Sequence, residues 1–324
     1  MTPTRPVTDV CSHGLLEQIT SPADLRALEP EDLPRVADEI REYLVELIMR
    51  LGGHFGSNLG NVELTLALHY VYESPDDAIV WDVSHGCYPH KIITGRREKF
   101  STLRTAGGLS GFLSPAESEH DLATTGHAGT GLSTALGIAW ARRYQKNPRP
   151  VVAVVGDGSI PSGLSLEALN HVGGHDLSLT IVLNDNQWSI DPTPGALSQV
   201  LRDCREGIRR GDFFELLGVR YLGPVDGHDL SLLLELFREA KSRRGPTLIH
   251  LVTVKGKGFP EAEEDPYRYH AVSPQSTTGA KGTKGATFSA VFGEALTALA
   301  RNDPRIVAVC AGMMGGTGLK TFHE

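Results

Sequence analysis

Val151-Val152-Ala153-Val154-Val155-Gly156-Asp157-Gly158 and Leu179-Thr180-Ile181-Val182-Leu183-Asn184-Asp185-Asn186 decide the fold of this chain. Each begins as a short apolar run of the kind that forms a strand buried on both faces, and each ends in a polar tripeptide. Between them, Leu164 to His171 has helical spacing, so the unit reads strand, loop, helix, strand, which is a parallel crossover. The fold class is therefore α/β, a parallel sheet flanked by helices. A third apolar run, Leu248 to Val254, precedes Lys255-Gly256-Lys257-Gly258. Ligands in such sheets bind at the carboxyl ends of the strands, so the segments from Gly156, Asn184 and Lys255 onward are where a site is expected.

Working outward, Val36, Ile40, Leu44, Leu47, Ile48 and Leu51 recur at helical spacing, with Pro34 in a first turn and Gly52 at the stop. Val62 to Tyr72 and Gly131 to Gln145 read as further helices. The Gly-, Lys- and Thr-rich stretch 276–286 reads as a linker between a domain over 1–275 and a second unit over 287–324. That unit opens with a helix marked by Phe288, Val291, Ala295, Leu296 and Leu299, then a strand over Ile306 to Val309, then the glycine-rich 312–318. Its length, about 38 residues, is below the roughly 40 that a lone domain usually needs, so the expectation is the truncated start of a second α/β domain.

The composition is that of an ordinary globular protein: 324 residues, 40% hydrophobic and 22% charged, which excludes a disordered or fibrous chain. A net charge of −8 without a basic stripe argues against a nucleic-acid partner. No apolar run approaches a membrane span and no leader is apparent, so the expected location is cytoplasmic, away from any membrane. Cys11, Cys87, Cys204 and Cys310 form no CxxC pair and are expected as reduced thiols. Glycine is in excess, 36 residues or about 11% against about 7% usually, and the excess clusters in loops.

Taken alone, Gly156-Asp157-Gly158 is a turn and Asn184-Asp185-Asn186 a helix cap. Together, at two strand ends 29 positions apart, they place Asp157 and Asn186 within reach of one another if the strands are neighbours. Oxygen ligands of this kind suit Mg²⁺, which keeps phosphate oxygens among its ligands, and the glycines let the backbone approach a bulky anion. Lys255 suits a diphosphate oxygen or, alternatively, a solvated basic turn; the run Glu261 to Asp265 reads as a solvated loop.

The two tripeptides resemble the thiamine diphosphate motif, in which Asp157, Asn186 and the main-chain carbonyl of Trp188 would hold Mg²⁺ against the cofactor's diphosphate. The resemblance narrows with Gly53-His54-Phe55-Gly56-Ser57-Asn58-Leu59-Gly60, Trp81-Asp82-Val83-Ser84-His85, Tyr88-Pro89-His90-Lys91, Gly107-Gly108-Leu109-Ser110-Gly111-Phe112, Pro224-Val225-Asp226-Gly227-His228-Asp229 and Tyr269-His270-Ala271-Val272. In order and over nearly the whole chain, these look like the 1-deoxy-D-xylulose-5-phosphate synthase family, N-terminal half. That resemblance implies a thiamine diphosphate-binding fold and a transketolase-like transferase moving a two-carbon unit from pyruvate to glyceraldehyde 3-phosphate. It implies that His54 and His270 move protons near the reacting carbon. It also implies that His85, His127, Gly156, Gly158, Ser159, Asn186 and Lys255 bind the cofactor.

The chain departs from the family pattern at Ser84-His85-Gly86-Cys87-Tyr88, at Gly126-His127-Ala128-Gly129-Thr130-Gly131, at Ser159-Ile160-Pro161 and at Asn184-Asp185-Asn186-Gln187-Trp188-Ser189-Ile190. The metal ligands persist while their surroundings change, a pattern compatible with the same cofactor and a different substrate. Leu197 to Phe213 is also shorter than the family's stretch there. The family's second domain supplies a glutamate for the aminopyrimidine ring, which lies outside these 324 residues. The expected partner is therefore a second subunit carrying the pyrimidine-binding domain and that glutamate, in a hetero-oligomer such as α2β2, with a 2-oxo acid and an aldehyde as substrates. A non-catalytic cofactor-binding module and a fragment of an ordinary synthase are the alternatives.

Overall fold

The computed structural model describes residues 14–274 and 286–324. Its centre is a five-stranded, all-parallel sheet built from β2 (Ala78–Trp81), β3 (Val151–Gly156), β4 (Leu179–Asp185), β5 (Arg220–Asp226) and β6 (Thr247–Val252), in the spatial order β2-β3-β4-β6-β5. A separate antiparallel pair joins β1 (Gly53–His54) to β7 (Ala271–Val272).

The apolar strands are continuous runs because both faces of the sheet are covered. Along β3, Val152 and Val154 enter one core with Ile79, Trp81, Val182, Ile249 and Leu251, while Val151, Ala153 and Val155 enter the other with Val80, Leu179, Ile181, Leu183 and Leu248. This two-residue alternation is the pleat itself, and each buried valine contributes about 1.5–3 kcal/mol. The helices Leu33–Leu51, Val62–Val71 and Leu230–Ser242 close the first face; Gly131–Tyr144, Gly163–Gly173 and Ala196–Arg205 close the second. The helix Leu33–Leu51 ends where Gly52 takes φ 75°; a Cβ there would also sit 2.6 Å from the Pro274 ring, so the stop requires glycine twice over.

β3 and β4 are neighbours in register, with Gly156 opposite Asn184, as the two decisive stretches led us to expect. The expected helices are present with ends shifted by one or two residues. Two expectations are corrected. Ile306 to Val309 is not a strand: it pairs with neither sheet, and Val307 and Val309 are exposed, so the run has neither the ladder hydrogen bonds nor the burial that hold a strand. Glu261 to Asp265 is not a loop throughout, since Pro260–Glu264 is a short helix that buries Ala262. Of the two readings of Lys255, burial disfavours the solvated basic turn, since the residue is 3% exposed.

The linker lies, apart from Ala286, outside the described residues, as does Cys11. Beyond it, the helix Phe288–Ala300 leaves Phe288, Val291, Phe292 and Leu299 exposed. The glycine-rich turn after it touches the loop that follows β4, where the Met314 N–H donates to Asp191 Oδ2 at 3.1 Å. Cys87, Cys204 and Cys310 are free thiols. Among the described residues no helix is long and apolar enough to cross a membrane.

Candidate active site

The parallel register of β3 and β4 delivers Gly156 and Asn184 to the same edge, and the chain turns sharply after each. The Asp157 N–H donates to the Asn184 carbonyl at 3.1 Å, and the Asn186 N–H in turn donates to the Asp157 carboxyl, which joins the two tripeptides directly. Asp157 is 4% exposed, and among the described residues no lysine or arginine forms an ion pair with its carboxyl. Burial, and then the charge of Asp185, push that carboxyl up to about 7. Asp185 itself is neutralised from the other side, by Arg205 and by His250 Nε2 at 2.8 Å, and is held below the usual carboxylate range in spite of its burial. Arg205 belongs to the helix Ala196–Arg205, so the short segment after β4 pairs directly with the second aspartate and acts on the first only at longer range, more weakly than burial and Asp185 do.

The loop after β4 is bent by Gln187, whose φ of 68° is left-handed, and closed by a bridge between Trp188 and Pro192. Asn186 Oδ1 accepts the Trp188 N–H at 3.1 Å. Asp157, Gln187 and Trp188 then share a cavity of about 200 Å³ with Thr193, whose buried Oγ1 has no partner among the described residues. Gly158 lies against the same loop: a Cβ there would stand 2.7 Å from the Ser189 Cβ. A Cβ on Gly156 would meet nothing within 4 Å, so open space lies above that position. Ser159 is buried and donates its N–H to the Gly156 carbonyl at 2.9 Å. A buried carboxyl in no ion pair among the described residues, an orphaned hydroxyl and an open backbone cradle fit a divalent cation carrying a diphosphate. No group of three or more His, Cys, Asp or Glu arranged to hold a metal is found among the described residues.

His54, His85 and His270 form a second centre. Their ring centroids are 5.4 to 5.7 Å apart in all three pairs, and Phe112 closes on His54 at 5.3 Å. The β1–β7 pair brings the first and last together: His54 stands opposite Ala271, and the Phe55 N–H donates to the His270 carbonyl at 3.0 Å. His85 arrives on a strained turn after β2, in which Val83 and Ser84 both have positive φ, and its Nε2 meets Ser57 Oγ at 3.0 Å. Such conformations cost about 1–3 kcal/mol each and persist only where the surroundings hold them. Burial, aided by neighbouring positive charge, pushes His54 down to about 4 and His270 down to about 3, and His85 well below its ordinary value. All three imidazoles are neutral at pH 7, and each has a buried Nδ1 with no partner among the described residues.

Lys255 joins the two centres. Its Nζ donates to the Ser189 carbonyl at 2.7 Å, and its charge is felt by Asp157 on one side and by His85 and His270 on the other. Burial lowers it to about 8, partly offset by Asp157. The close approach depends on Gly56 and Gly60: a Cβ on Gly56 would press on the Lys255 Cγ at 3.1 Å, and one on Gly60 on the Val254 carbonyl at 2.8 Å.

His127 is not drawn into this group. It is exposed, on a loop tied to the end of β2 by the Gly129 and Gly131 N–H groups donating to the Asp82 carboxylate at 3.0 and 2.7 Å. Sequence reasoning missed the amides that organise the site. Asn58 Nδ2 donates to the His54 and His85 carbonyls, both at 2.9 Å, while its Oδ1 accepts the Tyr88 N–H at 2.8 Å. Asn184 Nδ2 donates to Asn61 Oδ1 at 2.7 Å, and Asn61 Nδ2 to the Gly86 carbonyl at 3.2 Å, which links the strand ends to the histidine loop. The available signal was asparagine within otherwise apolar, glycine-rich runs.

The family model described as 1-deoxy-D-xylulose-5-phosphate synthase matches residues 16–209 and 202–253. The 1-deoxy-D-xylulose-5-phosphate synthase of Caldanaerobacter subterraneus subsp. tengcongensis is 44% identical over 96% of this chain and 56% of its own length; 1-deoxy-D-xylulose-5-phosphate synthase 1 of Geobacter sulfurreducens is 42% identical over 96% and 55%. This chain thus spans about half the length of the curated relatives it matches. Among solved structures, a transketolase from Campylobacter jejuni superposes with a TM-score of 0.63 at 20% identity, over 86% of this chain and 44% of that one, which shows a transketolase-like α/β fold. With matched segments that extend from residue 16 to residue 253, the chain belongs to the 1-deoxy-D-xylulose-5-phosphate synthase family and corresponds to the N-terminal half of its members.

Proposed function

We propose that this chain is the diphosphate- and Mg²⁺-binding part of a thiamine diphosphate-dependent transferase, one that moves a two-carbon unit from a 2-oxo acid such as pyruvate to an aldehyde. The observation that carries the reading is the buried Asp157 carboxyl, poised beside the Gly156–Gly158 cradle with no lysine or arginine in ion-pair contact among the described residues. Asp157, the Asn186 amide and the Trp188 carbonyl would hold Mg²⁺, and Gly158, Ser159 and Lys255 the diphosphate. The cofactor, when bound, supplies the electron sink for decarboxylation and carbon–carbon bond formation. This chain's share is proton handling: His54 and His270 are neutral imidazoles, able both to donate to a developing alkoxide and to accept from a hydroxyl. His85, fixed by Ser57, orients the group.

In this reading a pyrimidine-binding domain with its activating glutamate completes the site from a second polypeptide, in a hetero-oligomer. Support comes from the apolar surface of the helix Phe288–Ala300, where Phe288 is 98% exposed, and from Val309 at 96%, which a complementing domain would cover. The test is consumption of pyruvate with glyceraldehyde 3-phosphate by the chain alone, by a polypeptide carrying the pyrimidine-binding domain alone, and by the mixture, all with thiamine diphosphate and Mg²⁺. Turnover only in the mixture is expected. Turnover by the chain alone would refute the need for a partner; cofactor binding without turnover in any mixture would favour a non-catalytic module.

A further inference from the structure

At the opposite end of β3 from Asp157, a cavity of about 300 Å³ opens beside Val151. Four arginines line it, Arg142, Arg143, Arg149 and Arg244, with Asp176 the one carboxylate on its wall. Arg149 is neutralised by Glu73, Asp76 and Asp77 at 2.7, 3.1 and 3.4 Å. The other three have no carboxylate ion pair among the described residues. Arg142 spends its guanidinium on two main-chain carbonyls, of Pro150 at 2.5 Å and Asp76 at 2.7 Å, which fixes its fork, and its charge is offset in part by Asp77 and Asp76. Arg143 lies over the Trp140 ring, 5.3 Å from its centroid, and reaches only the Asp176 carbonyl at 3.4 Å. Arg244 is exposed.

Arg143 and Arg244, neither in a carboxylate ion pair among the described residues, bring two like charges to one concavity beside the partly offset Arg142; like charges so placed repel one another unless an anion joins them, and the guanidinium fork matches phosphate oxygens two at a time. The volume is at the lower end of small-molecule sites, which suits a short oligoanion and is too small for a macromolecular strand. We infer that this concavity is a binding site for a small multiply charged phosphate compound, separate from the metal–diphosphate centre. The six residues of β3, about 20 Å of strand, lie between the two, so the ligand is not a substrate of the imidazole centre.

Inorganic pyrophosphate is the probe, titrated calorimetrically into the full chain with EDTA present, so that the metal-dependent centre is silent. Inorganic phosphate is titrated in parallel. Pyrophosphate is expected to bind one site, more tightly than phosphate, with affinity falling as salt is raised. Arg143→Gln combined with Arg244→Ala should weaken it by about tenfold or more, while Asp157→Ala leaves it unchanged. Arg244→Ser alone, at an exposed position without an ion pair, should weaken binding in the same direction and guards against misfolding of the double variant. Absence of pyrophosphate binding, equal affinity in the arginine variants, or loss only in Asp157→Ala would each overturn the assignment.

Discussion

Replacing Asn58 with alanine should loosen the histidine centre without touching any residue that contacts substrate. The Asn58 amide makes three bonds, to the His54 and His85 carbonyls at 2.9 Å and from the Tyr88 N–H at 2.8 Å, in a side chain with no exposure. At about 1 kcal/mol net for each, the loss is about 3 kcal/mol, and it reaches about 6 kcal/mol if the orphaned carbonyls and N–H stay dry. Three kilocalories is roughly a hundredfold in the folding equilibrium, near the upper end of ordinary single substitutions. Asn58→Asp should be worse, because it keeps the acceptor for Tyr88 but turns a carboxylate oxygen toward two carbonyls. Urea unfolding followed by tryptophan fluorescence measures the loss. A decrease below about 1 kcal/mol for Asn58→Ala would refute the view that this amide holds the two loops together.

The depressed histidines make stability depend on pH. His54 and His90, pushed down to about 4, and His270, pushed down to about 3, have folded values below 6.5 because of burial, with His85 and His69 lowered in the same direction, so their contribution is present above pH 6.5 and is lost as pH falls below it. Asp157, raised to about 7, opposes this as a single group. The urea midpoint of the metal-free chain should therefore fall between pH 6.5 and 4, and the slope should flatten in His54→Gln/His270→Asn; a midpoint independent of pH would contradict it. Gly158→Ala should displace the Ser189 turn, since its Cβ would lie 2.7 Å from a neighbouring Cβ, and lower both stability and cofactor affinity. Gly156→Ala should leave thermal stability nearly unchanged and weaken thiamine diphosphate binding alone, because its Cβ meets only open space; a clear loss of Tm in that variant would mean the space is not there.

Much of the sheet was legible because β3, β4 and β6 are buried on both faces and therefore read as unbroken apolar runs. The same rule misled at Ile306 to Val309, where the run is apolar but pairs with no strand and stays exposed at Val307 and Val309. β2 is only four residues long, and β5 carries Gly223 and Pro224 at a register shift, so neither has enough period to stand out. Asp157 and Asn186 could be placed because each follows a strand directly. The meeting of His54 with His270 could not, since it depends on β1 and β7, two residues each and more than two hundred positions apart. Family resemblance supplied that pair, and the imidazole contacts gave it a physical form. Asn58, Asn61 and Asn184 stayed hidden because a buried amide in a sequence looks like any surface amide until its partners are known.

The most direct measurement is a calorimetric titration of thiamine diphosphate into the chain and into Asp157→Ala, each with and without Mg²⁺. The account predicts binding by the parent chain only when Mg²⁺ is present and none by the variant. Because the variant removes a buried carboxyl that forms no ion pair among the described residues, its metal-free Tm should be equal to or higher than the parent's. Unchanged, Mg²⁺-dependent affinity in Asp157→Ala would contradict the assignment of this carboxylate as the metal ligand.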